Sequence, residues 1–107
     1  MNWIENFKGI KNYNGWGCYE DQMTGVLTWY FFSPETTFQV MATPAWDGRQ
    51  NTPIDYISEQ TDYLNLGTLE QYTFDTFEQY ANAIQPFLDK ALVIYMNETI
   101  SIHDLEE

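Results

Sequence analysis

Ser101, His103 and Asp104 set a hydroxyl, the chain's one imidazole and a carboxylate within four positions, the residue types of an activated nucleophile. Such a group works only when the base is oriented by a third side chain in a site that excludes water. The segment "SIHDLEE" reads as a short solvated tail that supplies neither, so no catalysis is expected there. Asp55/Glu59 and Asp75/Glu78 are spaced to share helix faces if their segments are helical. General acid and base chemistry needs one carboxyl of a pair buried with a raised pKa. Nothing around either pair buries it, and both read as solvated faces.

The stretch "WDGRQN" lacks the ligands of a calcium loop, and Gly15 with Gly17 falls far short of a phosphate-binding pattern. Cys18 is the sole cysteine, which excludes an intrachain disulfide and a Cys-based zinc site, and it reads as a buried thiol. No cofactor and no metal are expected, and the chain does not read as an enzyme.

Charge is the departure from average composition. The 107 residues carry a net charge of -12. Residues 1–49 hold five carboxylates against Lys8, Lys11 and Arg49, whereas residues 50–107 hold eleven against Lys90 alone. Four basic residues are too few for direct nucleic-acid binding, whose affinity comes mainly from phosphate contacts. The sign suits a basic protein partner instead, such as a nucleic-acid-binding effector or nuclease, with the chain standing in for a polyanion.

That role depends on clustering. A chain of this mass exposes roughly 6,000 Å², so sixteen evenly spread carboxylates give one per about 400 Å². B-DNA presents one phosphate per roughly 100 Å² of its surface. Gathering most carboxylates on a third of the surface would approach that density. The residues assigned to partner binding are Asp55, Glu59, Asp62, Glu70, Asp75 and Glu78, with Trp29 or Phe31 as an apolar anchor if their face is open.

The acidic, aromatic-rich, lysine-poor composition is similar to that of small phage or plasmid inhibitors and of some immunity proteins. The leading expectation is therefore a small acidic intracellular inhibitor with partial DNA mimicry. An immunity protein or antitoxin, and a non-catalytic adaptor or virion accessory protein, are the competing readings. Toxin neutralisation would identify the second reading, and competition by nucleic acid separates the first from the adaptor. The start "MNWIENFKGIKN" shows no basic leader before an apolar run, so the expected compartment is the cytoplasm, with no membrane span.

The elements that must hold these residues are read as one α+β domain over 1–107: a small antiparallel sheet packed on a C-terminal amphipathic helix, with short additional helices. Asn2 and Glu5 resemble a capping box, and Trp3, Ile4, Phe7 and Ile10 recur at helical spacing, predicting a helix over 2–10 that "NYNGWG" ends. "WGCYE", "GVLTWYFF" and "TFQVMATPA" predict a three-stranded meander. Its expected register sets Phe32 against Phe38 and Trp29 against Met41.

Thr52 as cap and Pro53 at the first helical position predict a helix through Leu64, although "PIDYIS" also suits a strand. "TLEQYTF" alternates as a fourth strand. Phe74, Phe77, Ala81, Ile84, Leu88 and Ala91 trace one helical face, capped by Thr73 or Asp75 and interrupted at Pro86. Beyond Pro86 a second segment resumes, in which "LVIY" fits helix or strand.

Overall fold

A computed structural model describes residues 3, 7, 9–21, 23, 25–31, 38–42, 52–70 and 74–106, with the backbone alone for 99–106. Six antiparallel strands follow one another in both sequence and space: β1 (Ile10–Tyr13), β2 (Trp16–Glu20), β3 (Leu27–Phe31), β4 (Gln39–Ala42), β5 (Thr52–Ile57) and β6 (Leu64–Leu69). Among the described residues one α-helix, α1 (Phe77–Glu106), follows the strands. The α+β class holds, but the meander has six strands rather than three plus one.

Local chemistry closes each described hairpin. Asn14 and Gly15 take φ values of 50° and 84°, the all-positive pair of a type I′ turn whose twist matches its strands. Between β2 and β3 the Asp21 carboxylate accepts the Met23 N–H at 2.9 Å, and Gly25, at φ 73°, donates its N–H to the Asp21 carbonyl. Between β5 and β6 the Ser58 N–H donates to the Thr61 carbonyl at 2.9 Å.

Alternation then sorts the side chains. Cys18, Trp29, Val40 and Tyr56 form one cross-strand row toward α1, with Leu27, Ala42 and Ile54 in the next. All seven are buried, and Phe77, Tyr80, Ala81, Ile84, Leu88 and Ala91 meet them from the helix. Gly67, at φ 139°, is required where α1 crosses β6: a Cβ there would lie 2.9 Å from the Phe87 ring.

Several expectations need correction. Trp29 pairs with Val40 rather than Met41, a shift of one residue that turns Trp29 and Phe31 toward α1. The segment from Thr52 is β5, not a helix: Thr52, Ile54 and Tyr56 are buried in alternation while Pro53 and Asp55 point the other way. Pro53 lies near the start of that strand, directly before the register shift between Ile54 and Asp55, where a missing donor is tolerated.

The fourth strand expected over 68–74 shares only Thr68 and Leu69 with β6, and residues 71–73 lie outside the described set. Most of the helix expected over 2–10 lies outside it too, and Ile10 opens β1.

The helix is one element, not two separated by Pro86. The N–H that proline lacks would have met the Asn82 carbonyl; both residues are exposed, so no unpaired group is forced into the core. "LVIY" is helical, and so is the backbone of the expected tail to Glu106. Of the two expected caps, Thr73 lies outside the described residues and Asp75 does not cap α1. Thr76 does: its Oγ1 accepts the Gln79 N–H at 3.2 Å, while Gln79 Oε1 accepts the Asp75 N–H at 2.9 Å.

Candidate functional site

Strand direction decides where the carboxylates go. Glu20 ends β2 opposite Leu27, and Leu27, Ala42, Ile54 and Gly67 continue that row across the sheet. Asp21 and Glu70 therefore leave the sheet at the same end. The helix begins there as well, since Tyr80 reaches the Ala42 carbonyl at 3.4 Å. Glu20, Asp21, Glu70, Asp75 and Glu78 thus share one end of the domain, the last three exposed and the first two half-buried.

The opposite end carries Glu59 and Asp62 in the β5–β6 turn, both exposed. A strand of six residues spans about 20 Å, and screening acts over roughly 8 Å at physiological salt, so the two ends act separately. Asp55 belongs to neither: it lies half-buried on the sheet face away from α1 and accepts the Asn65 amide at 3.2 Å. The six carboxylates assigned to partner binding are therefore divided among three places, and Glu20 and Asp21 join three of them.

Asp75 and Glu78 also have a local reason to be where they are, because negative charge in the first turn complements the helix dipole. Lys90, the one base of the second half, is engaged elsewhere: its Nζ donates to the Leu66 carbonyl at 3.2 Å, covering a carbonyl on the outermost strand. Lys11 points toward α1 from β1, with Nζ 5.7 Å from the Phe7 ring centre and 5.5 Å from that of Phe77.

Neither proposed anchor is an open aromatic. Trp29 is fully buried, stacked on Phe77 at 5.7 Å, which removes it from any contact with a partner. Phe31 is half-buried and packs edge-on against Trp16 at 5.4 Å. The correction follows from the one-residue register shift, which puts both rings on the sheet face that carries α1.

A second polar constellation was not singled out in the sequence. Glu98 reaches back from α1 to three hydroxyls: Tyr56 donates to Oε2 at 2.8 Å, Thr61 to Oε1 at 2.5 Å, and Ser58 lies within 3.0 and 3.2 Å of the two oxygens. Ser58 Oγ in turn accepts the N–H groups of Gln60 and Thr61. The arrangement fastens the β5–β6 turn to the helix, and burial holds the Tyr56 hydroxyl well above the usual phenol range. Glu98→Ala should cost about 2 kcal/mol in urea denaturation, because charged hydrogen bonds are lost and the buried Tyr56 hydroxyl is left without its acceptor.

Among the described residues no group of three or more His, Cys, Asp or Glu side chains converges closely enough to hold a metal ion. No described helix is long and apolar enough to cross a membrane. Ser101, His103 and Asp104 lie on the backbone of α1 rather than in a tail. Comparison with known proteins finds no matching family model, no matching curated protein and no matching solved structure.

Proposed function

We propose that the chain is an acidic inhibitor that occupies the basic nucleic-acid site of a protein partner, and that the end of the domain where α1 begins is the face it presents. The observation that supports this reading is density. The 16 carboxylates over 6770 Å² average one per roughly 420 Å², too sparse to resemble DNA. The domain is 54 Å long and 25 by 25 Å across, and α1 accounts for most of the length, about 45 Å. Five described carboxylates over a cross-section of 25 by 25 Å would amount to one per roughly 120 Å², close to the roughly 100 Å² of a B-DNA phosphate.

The shape of that charge matters as much as its amount. The five groups do not converge on a point, which would suit an ion; they are spread along a strand end, a turn and a helix start, which suits a groove. Like charges so arranged raise the encounter rate with a cationic cleft, by roughly tenfold to a thousandfold where steering is strong.

The test uses a basic nucleic-acid-binding protein captured from the native host. Affinity should fall steeply between about 50 and 500 mM salt, because solvent-exposed charge pairs are screened. Duplex DNA should compete for the same site. Replacing Glu20, Asp21, Glu70, Asp75 and Glu78 by their amides should slow association roughly tenfold or more, whereas the Glu59/Asp62 double replacement should change it little. Salt-independent binding that DNA does not displace would instead place the partner on another surface, as an adaptor would.

A further inference from the structure

We propose that Asn14 is a site of spontaneous deamidation, at which the hairpin exchanges an amide for a carboxylate and, in the isoaspartyl product, loosens β1 from the sheet. Asn14–Gly15 is the one Asn-Gly pair in the sequence, and both residues are exposed at the β1–β2 turn. Gly15 has no Cβ to hinder approach to its own nitrogen. The two central residues of the turn lie outside the ladder, which closes on the Tyr13–Trp16 pair.

The chemistry needs only water. The Gly15 backbone nitrogen, losing its proton to solvent, attacks Cγ of Asn14; the N–Cγ bond forms, the Cγ–Nδ2 bond breaks and Nδ2 leaves as ammonia. Water then opens the five-membered imide at either carbonyl. One opening gives aspartate with the ordinary linkage, and the other gives isoaspartate, in which the backbone runs through the side-chain carbon.

The surroundings determine the consequence. Asn14 Nδ2 donates to Gln85 Oε1 at 3.2 Å, and Gln85 Nε2 is already committed to Asp89 at 2.8 Å. After deamidation the Gln85 carbonyl faces a carboxylate oxygen, so one tie between the hairpin and α1 is lost and becomes a repulsion. The isoaspartyl form also lengthens a two-residue turn by one backbone atom. Among the described residues, four-residue β1 has β2 as its one strand neighbour, and Tyr13 adds a hydroxyl bond to Asn82.

Full-length protein incubated in warm alkaline buffer, digested and weighed would show a gain of one mass unit at residue 14. Conversion there should run faster than at any other asparagine, and enzymatic methylation should detect isoaspartate. Gly15→Ala should slow it; since φ at this position strains that variant, Asn14→Gln, which cannot close a five-membered ring, is the second control and should give none. Conversion no faster at residue 14 than elsewhere would overturn the site. Amide exchange over Ile10–Tyr13 should be faster in the isoaspartyl protein than in Asn14→Asp, which has the same charge and normal linkage. Equal exchange in the two would overturn the loosening of β1.

Discussion

Trp29→Ala is expected to lower the unfolding free energy by about 3 to 5 kcal/mol, the range for truncating a large aromatic in a packed core. The indole has no exposed surface, sits between Cys18 and Val40 in the central row, and stacks on Phe77 with an angle of 18° between the rings. It also opens a polar relay: Trp29 Nε1 donates to the Tyr80 hydroxyl at 3.3 Å, and that hydroxyl donates to the Ala42 carbonyl at 3.4 Å. Truncation therefore leaves a cavity and removes a donor from a buried hydroxyl. Trp29→Phe keeps most of the volume and loses only the donor, about 1 kcal/mol. Urea midpoints followed by far-ultraviolet circular dichroism separate the two; an unchanged midpoint for Trp29→Ala would mean that the ring is not part of the core.

That ring also shows what the sequence could and could not disclose. Trp16–Glu20 reads as a strand because an aromatic-rich run stands between turn-like segments, and β2 has those bounds. The α1 face was legible from Phe77 to Ala91 because a long period-3.6 pattern overdetermines a helix. Register was not legible. Both faces of β3 carry aromatics, so composition is indifferent to a slip of one residue, and only the whole sheet on one helix selects Trp29 as the inward side chain.

Two misread segments have local causes. "NYNGWG" contains the strongest short hairpin signal, Asn-Gly, yet the helical spacing before it made it look like a terminator, and β1 was hidden. Thr52-Pro53 imitates a helix start, while the alternation of Thr52, Ile54 and Tyr56 that decides for β5 extends over only three inward positions.

The candidate face was legible as residue types but not as a place. Counting charge by halves of the chain assigned Glu20 and Asp21 to a balanced region, whereas the sheet carries them to the end reached by Glu70 and by the start of α1. Glu98 had no local signature at all, since its hydroxyl partners lie 37 to 42 positions away. Topology converts sequence distance into adjacency, and charge counting along the chain cannot anticipate that.

Stability should fall steeply above pH 9. Cys18 lies fully buried beside Trp29, and burial pushes its thiol far above the ordinary value of 9.0, against a smaller opposing influence of Lys11. Burial likewise raises the hydroxyl of Tyr80 well above 10.0, with the nearby Cys18 adding to the shift and the bond from Trp29 opposing it. Both groups are neutral when protonated, and the folded chain keeps their protons where the unfolded chain releases them. The contribution is therefore fully present below the ordinary values and is lost as pH rises past them.

Each such group reduces stability by about 1.4 kcal/mol per pH unit above its unfolded pKa. From pH 9 to 11 Cys18 alone removes about 2.3 kcal/mol, and the buried hydroxyls of Tyr56 and Tyr80 steepen the fall toward the top of that range. For a chain of this size that is a large share of the total, usually between about 5 and 15 kcal/mol. Urea midpoints taken at half-unit steps from pH 7 to 11 give the profile, and Cys18→Ala isolates the thiol. Between pH 9 and 10 the parent chain should decline more steeply than the variant, which keeps only the smaller contribution of the buried Tyr56 and Tyr80 hydroxyls. A parent profile as flat as the variant's over that interval would mean that the thiol titrates in the folded protein as it does in water, and that the row from Cys18 to Tyr56 is open to solvent.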